Sequence, residues 1–336
     1  MISAPRNPHH DLIKGLAVLL MMQVHVMELF AQQHVMDGVA GQLSLFLGAA
    51  PVAPVFMLLF GFYALRAPVW PGRLLWRAIK LMLAGAVLNV GLNLHLLVRI
   101  VQGQSALDPL PYLFGVDILL LAGLGLVLIT LLRPLLKAHA WAWLLASVGV
   151  ATLSPWMSAW LATETELKWL VAFVASDAAW AFFPLFPWLA YPLLGVAWFH
   201  GQPYLARLSP WRAPLGLGMA VLLLVTGPFA LATSHHLSGY YHHDLRFFLW
   251  AIGFAAGWFW LLPHLSRAKR LHAWLSWFGQ HITACYVVQW LLIGNLATAL
   301  YKTQSLLACL LWVLALVLLT RWIVSMYLQT KRFQHA

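Results

Sequence analysis

Asp11-Leu-Ile-Lys14-Gly15-Leu-Ala-Val-Leu-Leu-Met21-Met22-Gln-Val-His25-Val-Met-Glu28-Leu-Phe-Ala31-Gln32 is the stretch on which the reading of this chain turns. It is long and apolar enough to cross a bilayer, which takes about 20 mainly apolar residues, yet ionisable side chains recur inside it. At about 100° per residue, Asp11, Lys14, His25, Glu28 and Gln32 fall within about a third of the helix circumference, and Leu16, Leu19, Leu20 and Met27 lie mostly elsewhere. One face of this helix is therefore wet or lined by protein. Lys14 and His25 share nearly one azimuth with about 16 Å of helix between them, too far for one hydrogen bond but within reach of one elongated ligand. A single such residue is explained by snorkelling of Lys14 or a bond from His25 to a neighbouring helix. Five on one stripe mark a functional face.

The rest of the chain agrees with a membrane setting. Of 336 residues, 62% are hydrophobic and only 9% charged, against roughly a quarter charged in a soluble protein. This excludes a soluble enzyme, a disordered tail and a disulfide scaffold, and Cys285 and Cys309 both lie in apolar runs, where thiols act as small hydrophobes. Apolar windows predict an all-α polytopic integral-membrane bundle of about ten helices, near 12–31, 45–66, 76–100, 113–132, 140–162, 181–199, 213–233, 245–263, 272–299 and 305–328. With short connections between them, the chain reads as one transmembrane domain over 1–336. The stretch with Glu166, Lys168 and Asp177 is too polar to span. Only Arg6 precedes the first apolar run as a basic residue and no small-residue cleavage site follows, so that run reads as a retained helix.

The net charge of +11 sorts by loop, which points to topology rather than to nucleic acid. Arg73, Arg77 and Lys80 follow the second window, Arg133 and Lys137 the fourth, Arg207 and Arg212 the sixth, Arg267, Lys269 and Arg270 the eighth, and Lys331 and Arg332 the tenth. The alternate loops hold Asp37, Asp108, Glu164, Glu166 and the His-rich 235–243. Both termini are therefore expected in the cytoplasm. No internal repeat of the transporter kind is evident.

The run from Asp11 to His25 resembles the opening of membrane-bound acyltransferases of the acyltransferase 3 and heparan-α-glucosaminide N-acetyltransferase superfamily, in which a basic residue and a histidine are separated by ten residues. Ala53-Pro54-Val-Phe56 through Gly61-Phe62, Arg77-Ala-Ile-Lys80 through Gly85 with Leu88-Asn89, Pro184-Leu185-Phe186-Pro187-Trp188-Leu189, and Phe278-Gly279-Gln280-His281-Ile282-Thr283 through Tyr286 are similar to later elements of that family, in the same order. Lys14 stands where Arg is more frequent, and Gln289 where a second histidine often follows the tyrosine.

The resemblance implies transfer of an acyl group, most simply acetyl, from cytoplasmic acetyl-CoA or another acyl-CoA to a hydroxyl or amine of an extracytoplasmic sugar or glycolipid. It implies a multi-pass protein of a bacterial inner membrane, among lipids, with no nucleic-acid partner and no metal. Such a reaction needs a base for the acceptor's proton and a passage for the carrier. Imidazole titrates nearest neutrality, so His25 is expected as the base or acyl carrier, oriented by Glu28, with His34 as a second catalytic candidate at the place where the glucosaminide branch has a histidine. Lys14, Arg73, Arg77 and Lys80 are expected to hold the carrier's phosphates. Asp117, Asp244 and Arg246, with Asp37, Asp108, Asp177, Tyr240 and Tyr241, are expected around the acceptor.

Two other readings stay open. A proton-coupled transporter or flippase would use His25, Glu28 and Asp117 as a relay, moving substrate without consuming acyl-CoA. An assembly subunit would use the stripe to dock a partner helix. His235, His236, His242, His243 and Asp244 are suitable zinc ligands, although neighbouring loop histidines are more often solvated. His95, near Asn89 and Asn93, either completes the cavity or packs. Gly-x-Gly at 123–125 and 216–218 lies in apolar helix without the strand and turn of a dinucleotide site.

Overall fold

The computed structural model describes residues 7–66, 70–161, 167–207, 212–265 and 268–333. Arg6, Glu164, Glu166 and Arg267 lie outside the described residues, as do the side chains of Arg212 and Arg332. Among the described residues the secondary structure is helical apart from one isolated bridge between Ala31 and Gln304, and nine helices are long and apolar enough to cross a membrane. The chain is an all-α polytopic membrane bundle.

The 45–66 window is two helices, Val39–Ala49 and Val52–Ala64, and three further windows depart from expectation, each for a local reason. The 76–100 window is two helices, Pro71–Leu92 and Leu94–Val101. Between them the Asn93 amide donates to the Asn89 carbonyl at 2.9 Å, a side-chain bond that competes with the helical ladder. The 272–299 window likewise divides into Lys269–Gln280 and Ile282–Leu300. There the His281 ring occupies the Trp277 carbonyl at 2.7 Å, and its backbone N–H turns to Phe278 instead. The 181–199 window starts late, because Pro184 and Pro187 cannot donate to a helical ladder, and the chain enters its helix only with Leu185–Trp188 and Ala190–Arg207.

The chain divides into two compact units. One contains Ala53–Val87 and Leu110–Gly257. Its core gathers Ala64, Leu126, Ile129, Trp143, Leu193 and Val196, and Trp143 Nε1 donates to the Lys137 carbonyl at 3.0 Å. Helices Val52–Ala64 and Ala190–Arg207 approach through glycine: Gly61 lies on the Pro192 carbonyl and Gly195 on that of Leu58. In a membrane such close packing replaces the hydrophobic drive that lipid cannot supply.

The other unit contains Arg6–Val52, Leu88–Pro109 and Trp258–Ala336, and its centre is the first helix, Pro8–Phe30. Helices Val39–Ala49, Lys269–Gln280, Ile282–Leu300 and Leu306–Phe333 all pack against it. Gly15 sits on the Leu275 carbonyl, and Gly279 on that of Asp11. Gln23 and Ser44 exchange two hydrogen bonds, Ser44 Oγ donating to Gln23 Oε1 at 2.8 Å and Gln23 Nε2 to the Ser44 carbonyl at 3.1 Å. The last carbonyls of the first helix, which lack helical partners, accept from Lys302 and Gln304: Lys302 N–H bonds Leu29 and Gln304 N–H bonds Phe30, at 2.9 and 2.8 Å.

Candidate functional site

The polar stripe of the first helix lies within the second unit, and its histidine faces a partner the sequence did not indicate. His25 is half-buried. Its Nδ1 is 3.3 Å from Nε2 of Gln289, and its ring lies against Trp290 with centroids 4.1 Å apart and planes tilted by 34°. Gln289 is fully enclosed, and its Oε1 has no hydrogen-bond partner among the described residues. A primary amide carries donor and acceptor at its two ends. As placed it donates to Nδ1; turned over, Oε1 accepts from Nδ1–H and leaves Nε2 of the imidazole with its lone pair. Gln289 occupies Nδ1 in both orientations, but only in the second, with the proton on Nδ1, does Nε2 keep the lone pair that a base or nucleophile needs.

Glu28 was expected to orient that ring. The ring's hydrogen bond is instead to Gln289, and the charge facing Glu28 is Lys302. Lys14 is largely enclosed and its Nζ is paired with Asp11 Oδ1 at 2.7 Å. His34 and Asp37 are both exposed, on the short helix Gln33–Asp37, where Gln33 Nε2 donates to Asp37 at 2.9 Å. His95 is exposed and its ring Nδ1 lies 3.1 Å from the Asn295 carbonyl, so it is tied into the bundle. His25, Glu28, His34 and Lys14 thus share one unit.

Asp108 also belongs to this unit, and the remaining expected residues to the other. Arg73, Arg77 and Lys80 are exposed along Pro71–Leu92; the Arg77 guanidinium lies 5.7 Å from the Phe60 ring and Lys80 Nζ 5.2 Å from that of Trp76. Asp117 and Asp244 have structural work. Asp117 Oδ1 accepts from Leu119 and Leu120 N–H at 3.0 and 2.9 Å, the N-cap of Ile118–Leu136, and capping of this kind is worth about 1 kcal/mol. Asp244 caps Leu245–Leu265 in the same way and holds Arg246 Nε at 2.8 Å. Burial would raise the Asp244 carboxyl, but the Arg246 guanidinium and the helix amides hold it below its usual range.

Among the loop histidines, His243 is a buried structural element. Its Nδ1 lies 2.7 Å from the Tyr240 carbonyl, which can only accept, so Nδ1 carries the proton and Nε2 accepts from the Tyr191 hydroxyl at 2.9 Å. Trp188 closes over the ring edge-on. Burial pushes its pKa down to about 4, against an ordinary value near 6.5. The imidazole folds neutral, so its stabilising contribution is complete above about pH 6.5 and is lost as pH falls toward 4, by about 3 kcal/mol in all. Thermal unfolding of the purified protein between pH 7 and 4 is expected to show that loss in wild type and a flatter profile in His243→Gln; equal slopes would remove His243 as the cause. No group of three or more His, Cys, Asp or Glu side chains is arranged to hold a metal ion among the described residues.

Polar residues inside apolar spans carry the signal for Gln23 and Arg321, which the sequence analysis does not single out, and for Gln289, noted there only for the histidine it replaces; the partners of all three depend on helix pairing. A family model described as "Heparan-alpha-glucosaminide N-acetyltransferase, catalytic" matches residues 6–245. Comparison with curated proteins and with solved structures finds no match. The matched stretch includes Lys14, His25 and Glu28; Gln289 lies beyond it.

Proposed function

Because the chain belongs to the heparan-α-glucosaminide N-acetyltransferase catalytic family, we propose that it is an integral-membrane acetyltransferase acting on a glycan, with acetyl-CoA as the cytoplasmic donor and a sugar hydroxyl or amine as the extracytoplasmic acceptor. The observation that carries this reading is the imidazole of His25, inside a membrane helix, held at Nδ1 by Gln289 and lying against the Trp290 ring. A relay or a docking face does not call for a histidine fixed through one nitrogen with the other left to react.

In the proposed reaction the acceptor's oxygen or nitrogen attacks the thioester carbonyl carbon. Its proton passes to Nε2 of His25, and the carbon–sulfur bond breaks to give coenzyme A thiolate, which takes the proton back. If His25 instead carries the acyl group, the same Nε2 attacks first and the acceptor displaces it. Both routes need Nδ1 protonated and held, which makes Gln289 the positioning residue in place of Glu28. Glu28 faces the charge of Lys302, whose backbone N–H ties down the end of the helix, and His34 is assigned to the acceptor's side of the membrane. Arg73, Arg77, Lys80, Asp117, Asp244 and Arg246 belong to the other unit and are given no step in this transfer.

Purified protein given [1-14C]acetyl-CoA and a panel of amino and neutral sugars is expected to place label on sugar with release of free thiol. Labelled sugar absent across the panel, with acetyl-CoA unconsumed, would contradict the assignment. Gln289→Leu removes both ends of the amide while keeping the volume, and the expected result is a fall in kcat of roughly tenfold to a hundredfold with KM for the donor little changed. Gln289→Glu, whose carboxylate can accept from Nδ1–H, should recover part of that loss; a purely packing role predicts the opposite order, with the buried carboxylate the worse of the two.

A further inference from the structure

Arg321 is a charge inside the last helix, Leu306–Phe333, with no carboxylate paired to it among the described residues. Its guanidinium is surrounded by rings of the Lys269–Gln280 helix: Trp277 at 4.7 Å, Phe278 at 5.9 Å and Trp274 at 6.0 Å. Nη1 is buried and makes no hydrogen bond. Aromatic faces offset part of the cost of burying a cation, but they leave planar N–H donors unsatisfied, and an unpaired charge in a span is expensive.

Two independent measures place this guanidinium at the depth of Lys14. The bridge between Ala31 and Gln304 ties the end of the first helix to the chain just before the last one. Lys14 precedes Ala31 and Arg321 follows Gln304 by the same number of residues, so each lies about 25 Å from the bridge at 1.5 Å per residue. The Lys269–Gln280 helix gives the same answer, since Leu275 and Gly279 touch Gly15 and Asp11 while Trp274, Trp277 and Phe278 surround Arg321. His25 is about 9 Å from the bridge on the same count, hence about 16 Å above this level. Lys14 has its charge engaged by Asp11; Arg321 has no such partner among the described residues.

We propose that Arg321 is a phosphate-binding residue, and that the phosphate it takes is that of the acyl-CoA donor, whose pantetheine arm then spans the distance to His25. This rests on the reading of the chain as an acetyl-CoA-dependent enzyme. Guanidinium forms two parallel bonds to a phosphate, and Trp274 and Trp277 flank it with flat faces. The one other source of a phosphate at this depth is a lipid headgroup.

The test is equilibrium binding to full-length protein in maltoside micelles, which contain no phosphate, using acetyl-CoA and acetyl-pantetheine as probes, in wild type, Arg321→Lys and Arg321→Met. A lost charge-assisted phosphate contact predicts affinity for acetyl-CoA weaker by tenfold to a hundredfold in Arg321→Met, a smaller loss in Arg321→Lys, and unchanged affinity for acetyl-pantetheine. Arg321→Lys keeps a cation over the rings, so it reads the lost bidentate contact even if the Met variant folds poorly. Equal acetyl-CoA affinity in all three overturns the donor assignment. If phosphatidylglycerol then raises the melting temperature of wild type but not of the variants, the phosphate is a lipid's; if it does not, Arg321 binds no phosphate at all. Wild-type protein that binds acetyl-CoA through Arg321 yet acetylates no sugar would leave this site standing and sink the proposed reaction.

Discussion

His25→Ala is expected to lower kcat for acetyl transfer by between about a hundredfold and ten-thousandfold, the range set by loss of a positioned general base, while leaving the protein folded and donor binding close to wild type. The fold should survive because His25 contributes one long hydrogen bond and one ring contact, whereas the first helix is held elsewhere by glycine contacts, the Gln23–Ser44 exchange and the tie to Lys302 and Gln304. Substrate affinity and turnover should therefore separate. A variant that turns over at the wild-type rate would remove His25 from the chemistry, and one that fails to fold would assign it to the bundle.

The second large effect is on stability. A Cβ on Gly15 would enter the Leu275 carbonyl, and one on Gly279 the Asp11 carbonyl. Backbone cannot retreat as a flexible side chain can, so Gly15→Ala and Gly279→Ala each force the first helix away from Lys269–Gln280. The expected cost is about 3 kcal/mol or more, at the upper end of overpacking, seen as a lower melting temperature in detergent. Gly149→Ala is the control, since nothing lies within 4 Å of that position and alanine favours a helix by roughly 0.5–1 kcal/mol. Equal melting temperatures for all three variants would mean that these contacts do not hold the unit together. Because Asp11 and Lys14 flank the same contact, the two glycine variants should also weaken donor binding.

What could be read from the residues follows from which signals are local. Bundle class and polar stripe were legible because hydropathy and helical periodicity act within one segment. The breaks at Asn93 and His281 were not, although both are side chains taking a carbonyl of their own helix, because an Asn or His in a span is equally consistent with a bond to a neighbour. Asp117 and Asp244 each stand at the start of an apolar run and cap its helix, a role local enough to be read from position alone. His25 was found from its spacing to Lys14, but its partner could not be, since Gln289 reaches it only after two distant segments pack. Arg321 was visible as an arginine among leucines. That it has no carboxylate partner among the described residues was not, and that is what gives it meaning.

The most direct measurement uses sealed proteoliposomes with an amino sugar trapped inside and [1-14C]acetyl-CoA outside, following both label and thiol. The account predicts acetylated sugar in the lumen and free coenzyme A in the external medium, in equal amounts and dependent on His25. Sugar crossing the bilayer unmodified while the thioester stays intact would contradict it.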